Sequence, residues 1–179
     1  WNGLKYKNKV HNMARALADL GTDVLPGVGC AVIGLSEVEN NKVLDALVAQ
    51  PELAARGYKY CHVEGPDKRG IDCALLYNPA LFSVRDVKLV PYVYDLPKDT
   101  ARATRGFLTV SGTMAGEHLT VVVCHWPSRG ASSHYREIAG TQVKAVKDSL
   151  LRDDPNCKVM VMGDMNDDPT NKSMTDCLS

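Results

Sequence analysis

The stretch Val159 to Pro169, VMVMGDMNDDP, limits what this chain can fold into more than any other part of it. Four apolar residues and a glycine lead into three acids and an amide, Asp164, Asn166, Asp167 and Asp168. An apolar run of that length, rich in Val and Met and stopped by Gly163, reads as a strand buried on both faces. Its polar residues then emerge at the C-terminal edge of a sheet, where open α/β sheets gather ligands. A carboxylate and an amide two residues apart can point at one small target, a water or a hydrated cation. The competing reading is local: Asp164 and Asn166 close turns with their own backbone, and Asp167, Asp168 and Pro169 form a solvated turn.

Two other apolar runs end in the same way. Cys30 to Leu35, CAVIGL, runs into Ser36, Glu37, Val38 and Glu39, and Leu119 to Cys124, LTVVVC, runs into His125, Trp126, Pro127, Ser128 and Arg129. Ser36 and Glu39 have the spacing of a capping box for the next helix, which gives Glu39 a structural part. Glu37 has no such local role. Trp126 is as well suited to core packing as to a site.

Around these runs the pattern places an amphipathic helix from Lys5 to Leu20, stopped by Gly21, and a second helix through Val43 to Val48, broken at Pro51. Lys59 to Glu64 and Asp72 to Tyr77 read as a hairpin across a charged turn, Gly65 to Gly70, and such hairpins favour an antiparallel or mixed sheet. An outer strand is expected over 81–93, a polar loop from Leu96 to Thr104, a strand from Phe107 to Met114 and a helix from His134 to Leu151. The fold class is α/β in the broad sense (α+β).

A chain of 179 residues with 45% apolar content suits one domain with a substantial core. Its 21 Lys and Arg balance its 21 Asp and Glu, so no global field draws it to a polyanion, and any phosphate recognition must be local. No apolar run reaches the ~18 residues of a membrane span. The compartment stays open, since a removed secretion leader leaves no trace. The six cysteines are scattered, show no zinc-ligand spacing and leave disulfides undecided.

Three strand ends therefore present an acid at Glu37, an imidazole at His125, and an acid and an amide at Asp164 and Asn166. That donor set, with arginines nearby, suits a divalent cation acting on a phosphate ester. Glu37 can supply a magnesium ligand. Asp164 can orient and deprotonate a water, with Asn166 holding that water or a phosphoryl oxygen. His125, Ser128 and Arg129 can donate to the phosphate, and Arg69 and Arg105 can reach the substrate as bidentate forks.

The segments LSEVEN at 35–40, RGIDCALLYNP at 69–79, TRGFL at 104–108, HWPSR at 125–129 and GDMNDDP at 163–169 resemble, in order and spacing, the endonuclease/exonuclease/phosphatase superfamily. That group includes pancreatic deoxyribonuclease, abasic-site endonucleases, neutral sphingomyelinases and inositol polyphosphate 5-phosphatases. The resemblance implies a four-layer α/β/β/α sandwich with two mixed, mainly antiparallel sheets, and a Mg2+- or Mn2+-dependent phosphoesterase. It places the metal on Glu37, the water on Asp164 and Asn166, the scissile phosphate on His125, and substrate on Arg105 and Ser128. A phosphodiesterase or nuclease acting as a monomer is the leading expectation. Its substrate is a nucleic acid, a phospholipid headgroup or a small phosphoester.

The resemblance also implies a leading strand with an Asn near the metal and a closing strand with an Asp followed by a catalytic His. Asn2 is poorly placed for the first, and the last histidine is His134. The expectation is therefore one domain over residues 1–179 with N- and C-terminal parts missing. The alternative is a non-catalytic module that grips a phosphorylated ligand and lacks the terminal Asp-His pair.

Overall fold

The helical periodicity near the start forms α1 (Gly3–Asp19) in a computed structural model that describes residues 2–94 and 104–179. Asn2 caps α1, its side chain accepting the Lys5 N–H at 3.0 Å. Val10, Ala14, Leu17 and Ala18 form the helix's buried face. Gly21 follows in the left-handed region at φ 70°, where a Cβ would meet the Cys30 sulfur at 2.9 Å.

The first sheet holds β1 (Val32–Val38), β2 (Lys59–His62) and β3 (Asp72–Tyr77) in the order β1-β3-β2, with both pairings antiparallel. The expected hairpin is therefore formed, Lys59 facing Tyr77 and His62 facing Ala74. The helices α2 (Asn41–Val48) and α3 (Pro51–Ala54) lie between β1 and β2 in the chain. The second sheet holds β4 (Phe82–Val90), β5 (Phe107–Met114), β6 (Glu117–His125) and β7 (Lys158–Asp164), in chain order. Its first two pairings are antiparallel, and β6 and β7 are parallel, joined through α4 (Ser133–Asp153) as a parallel crossover requires.

Three apolar clusters stack these elements into four layers. Residues of α1, α2 and α3 pack with Ile33 and Leu76 on the outer face of the first sheet. Cys61, Cys73 and Leu75 meet Phe82, Leu108, Val110, Val121 and Val123 between the sheets. Ala139 and Val143 of α4 meet Phe107, Val122, Cys124 and Trp126 on the far face of the second sheet. Trp126, 1% exposed, is core. All six cysteines are free thiols. No helix among the described residues is long and apolar enough to cross a membrane.

Three expectations change. The Ser36–Glu39 capping box does not form, because Ser36 lies inside β1 and donates to the Cys124 carbonyl at 3.5 Å. Asn40 caps α2 instead, accepting from the Val43 N–H at 3.2 Å. The apolar run before Gly163 is not buried on both faces: β7 lies at the margin of its sheet, and Met160 is 42% exposed. Third, the Cys30–Leu35 strand begins and ends later than its apolar run, so that Glu37 falls within β1 rather than after it. The expected loop Leu96 to Thr104 lies outside the described residues except for Thr104.

Candidate active site

Register brings the first two groups together. In the parallel β6–β7 ladder His125 is paired with Asp164, and Cys124 with Gly163, so both side chains leave adjacent strands at the same level. Gly163 permits this approach: at its φ of 129° an added Cβ would sit 2.0 Å from the Cys124 carbonyl oxygen. His125 Nε2 lies 3.8 Å from Asp164 Oδ2. That gap is longer than a hydrogen bond, which leaves both atoms able to take a partner between them.

The first sheet supplies Glu37, near the end of β1. Gly34 lies close against the second sheet, since a Cβ there would meet the Met162 sulfur at 2.7 Å and Val123 at 3.2 Å unless those side chains shift. Beyond it the β1–β3 register shifts between Leu35 and Val38, so Ser36 and Glu37 together oppose Cys73. Such a bulge redirects a side chain, and Glu37 sits in it at φ 61°, an unfavourable conformation for a residue with a Cβ. Asn166 is also left-handed, at φ 51°. Among the described residues the third non-glycine case, Ala115, belongs to the β5–β6 turn, so the other two lie in the segments that the sequence singles out.

The local reading of the loop after β7 holds for Asp164 and fails for Asp167. Asn166 donates its N–H to Asp164 Oδ1 at 2.9 Å, a local turn that leaves Asp164 Oδ2 toward His125. The Asn166 amide donates to the Trp126 carbonyl at 3.0 Å, joining the loops after β6 and β7. Asp167 is no solvated turn residue. Its carboxylate is buried and is held by Asn171, by Ser173 at 2.6 Å and by Arg136 of α4 at 3.1 Å.

Glu37, His125, Asp164 and Asn166 line one cavity of about 370 Å³, together with Arg69, Arg105 and Ser128. A second cavity of about 460 Å³, bordered by α1 and α2, shares Glu37 and Asp164 with it. Arg69 and Ser128 are exposed. Arg105 is buried, with Nη1 on Asp67 Oδ2 at 2.9 Å, Nε on the His125 carbonyl at 3.1 Å and Nη2 on the Trp126 carbonyl at 3.0 Å. Arg129 is not brought to this cavity. It lines the groove behind the loop, where Nη2 pairs with Asp168 at 2.7 Å and Nε donates to the Asn166 carbonyl at 3.1 Å.

Electrostatics follow from these contacts. Burial holds the His125 imidazole below its ordinary 6.5, the Arg105 charge pushes the same way, and Asp164 and Glu37 oppose both. His125 is accordingly neutral at pH 7, with its buried Nδ1 unpartnered among the described residues. Burial would raise the Asp67 carboxyl, yet the Arg69 N–H and the Arg105 guanidinium outweigh it and hold Asp67 below 3.8. Sequence reading gave Asp67 no role beyond its turn, although an Asp two residues before Arg69 is the spacing of the turn it closes. The Asp167–Arg136 pair, joining distant segments, had no local signal.

Among the described residues no three His, Cys, Asp or Glu side chains form a ready-made metal cage. A hard cation such as Mg2+ needs none, since one or two carboxylates, several waters and a phosphate complete its shell. The exposed Glu37 and Asp164 carboxylates, bordering the same two cavities, fit that requirement.

Solved structures share this fold. A truncated Caenorhabditis elegans TDP2 matches with a TM-score of 0.64 and 15% identity, over 93% of this chain and 58% of its own. ANGEL2, a 2',3'-cyclic phosphatase, matches with a TM-score of 0.69 and 16% identity, over 92% of this chain and 45% of its own. A Staphylococcus aureus beta toxin matches with a TM-score of 0.64 and 17% identity, over 94% and 63%. The chain thus spans about half the length of the first two. No curated protein is similar enough in sequence to count as a relative. The model of the endonuclease/exonuclease/phosphatase family matches residues 1–179, and the chain belongs to that family.

Proposed function

We propose that the cavity hydrolyses phosphoesters, most readily phosphodiesters, with a divalent cation, Mg2+ or Mn2+, held at Glu37. The observation that carries this reading is the pairing of His125 Nε2 and Asp164 Oδ2 across 3.8 Å in the cavity that Glu37 also lines. Asp164, fixed by the Asn166 N–H, positions and deprotonates a water with its free oxygen, and the Asn166 Oδ1 accepts from that water or orients it. His125, neutral and well buried, donates its N–H to a phosphoryl oxygen as charge builds there. When bound, the cation supplies Lewis-acid stabilisation of that same charge. Arg69 and Ser128, exposed at the cavity, make the substrate contacts. Arg105 adds positive charge beside the phosphate and, through its two carbonyl contacts, holds the His125–Trp126 backbone in place. Arg129, tied to Asp168 in the neighbouring groove, stands outside the set.

Membership of the family supports a phosphoesterase or nuclease, and one structural neighbour is by name a 2',3'-cyclic phosphatase. The test is hydrolysis of bis(p-nitrophenyl) phosphate by the full-length protein in Mg2+. Turnover is expected to stop with EDTA and to fall at least ~100-fold in Asp164→Ala, the scale on which a positioned acid or base acts. Turnover that survives either treatment rejects this mechanism. Binding of the diester with no turnover at any metal concentration favours the second reading, a module that holds a phosphorylated ligand without cleaving it.

A further inference from the structure

Tyr92, Tyr94 and Tyr135 line the same cavity as the phosphate-facing groups. Their rings form one continuous cluster: Tyr92 and Tyr94 have centroids 5.6 Å apart, and Tyr94 stands edge-on to Tyr135 at 5.7 Å. The cluster is anchored on both sides. Tyr92 donates its hydroxyl to the Tyr135 carbonyl at 3.0 Å and packs edge-on against the core residue Phe107. Burial accordingly pushes the Tyr92 phenol far above its ordinary range. Tyr135 is held in the first turn of α4, whose cap Ser132 accepts the His134 N–H. Half-buried aromatic rings fixed in this way lose little freedom when a ligand packs on them.

The cavity therefore has two chemistries, an ionic part at Glu37, His125 and Asp164 and a rigid tyrosine wall. A phosphate with only aliphatic or polyol substituents makes use of the first alone. A planar ring tethered to the phosphate uses both, since every nucleobase has a face that stacks on an aromatic ring. Three aromatic rings can also enclose a quaternary ammonium. The exposed Lys68 and Arg69 that line the cavity are matched by the exposed Glu37 and Asp164, so charge does not choose between these occupants and phosphocholine enters the test as the competitor.

From this we infer that Tyr92, Tyr94 and Tyr135 form a base-stacking wall, and that the ligand is a nucleoside phosphoester whose ring lies on it. This rests on the phosphate reading of the ionic part, but its test does not require turnover. Calorimetric titration of the full-length protein in Mg2+ compares adenosine 5'-monophosphate, ribose 5-phosphate and phosphocholine. The nucleotide is expected to bind roughly ten-fold tighter than ribose 5-phosphate, as one stacked base provides. Tyr94→Leu and Tyr135→Leu should reduce that ratio toward one, and Tyr94→Phe, which keeps the ring, should retain it. Equal binding of nucleotide and sugar phosphate, a ratio unmoved by the leucine variants, or tightest binding of phosphocholine overturns the inference. A ten-fold preference in a protein that hydrolyses nothing sustains the wall and rejects the catalytic proposal, whereas hydrolysis without preference does the reverse.

Discussion

At the scale of single residues, the site depends on side chains fixed by contacts made elsewhere. Arg105 shows this most clearly: one guanidinium joins Asp67 to the backbone carbonyls of His125 and Trp126. Removing one partner of a buried ion pair leaves the other uncompensated. Arg105→Ala is therefore expected to lower unfolding free energy by about 3 kcal/mol, read by urea titration, and to reduce any activity with it. His125 gives a pH dependence whose sign follows from its depressed value. The unfolded imidazole takes up a proton near 6.5 while the folded one resists it. Stability contributed by His125 is thus present above 6.5 and declines as pH falls through that range. Denaturant titrations at pH 7.5 and 5.5 should show a smaller loss in His125→Asn than in the native protein. Asp67 acts in the same direction at lower pH, its stabilisation being complete above 3.8 and lost as pH drops further.

At the scale of elements, periodicity and turn chemistry were legible because they are local. The helix at the start, the hairpin from Lys59 to Tyr77 and the buried β6 follow from alternation, apolar runs and Gly or Pro stops. The capping box failed because two caps compete within five residues, and the β1–β3 pairing keeps Ser36 in the strand and leaves Asn40 to start α2. Asn40→Ala should destabilise by about 1 kcal/mol, whereas Glu39→Ala should fall within about 0.5 kcal/mol of zero; thermal unfolding separates the two. Gly163 belongs to this scale too. Its left-handed φ and the Cys124 carbonyl 2.0 Å from a notional Cβ make Gly163→Ala a test of the β6–β7 approach. A loss of more than about 2 kcal/mol is expected by denaturant titration, since overpacking and strain add. Gly116→Ala, where a Cβ would meet nothing within 4 Å, should lose less.

At the scale of the whole molecule, the sequence showed which residues stand at strand ends but not which ends meet. Glu37 was singled out by its place after an apolar run, by the lack of any local role and by the family resemblance. Its place beside His125 and Asp164 depends on the β1 bulge and on the inter-sheet contact at Gly34, and neither leaves a mark in a single sequence. Arg129 failed for the same reason in reverse: near His125 in the chain, it turns into the next groove because Asp168 and the Asn166 carbonyl take it there. Burial of β7 was overestimated because an apolar run reports hydrophobicity and not how many neighbours a strand has. The tyrosine wall, drawn from the end of the second sheet and the start of α4, was likewise invisible before the fold closed the cavity. What remains central is the proposal that strand ends of two sheets together make one cation and phosphate site. Crystals of the full-length protein soaked in Mn2+ and inorganic phosphate, measured by anomalous scattering, test this directly. The expected result is a manganese peak on the Glu37 carboxylate with phosphate between it and His125; manganese bound only elsewhere, with Glu37 bare at saturating metal, would contradict it.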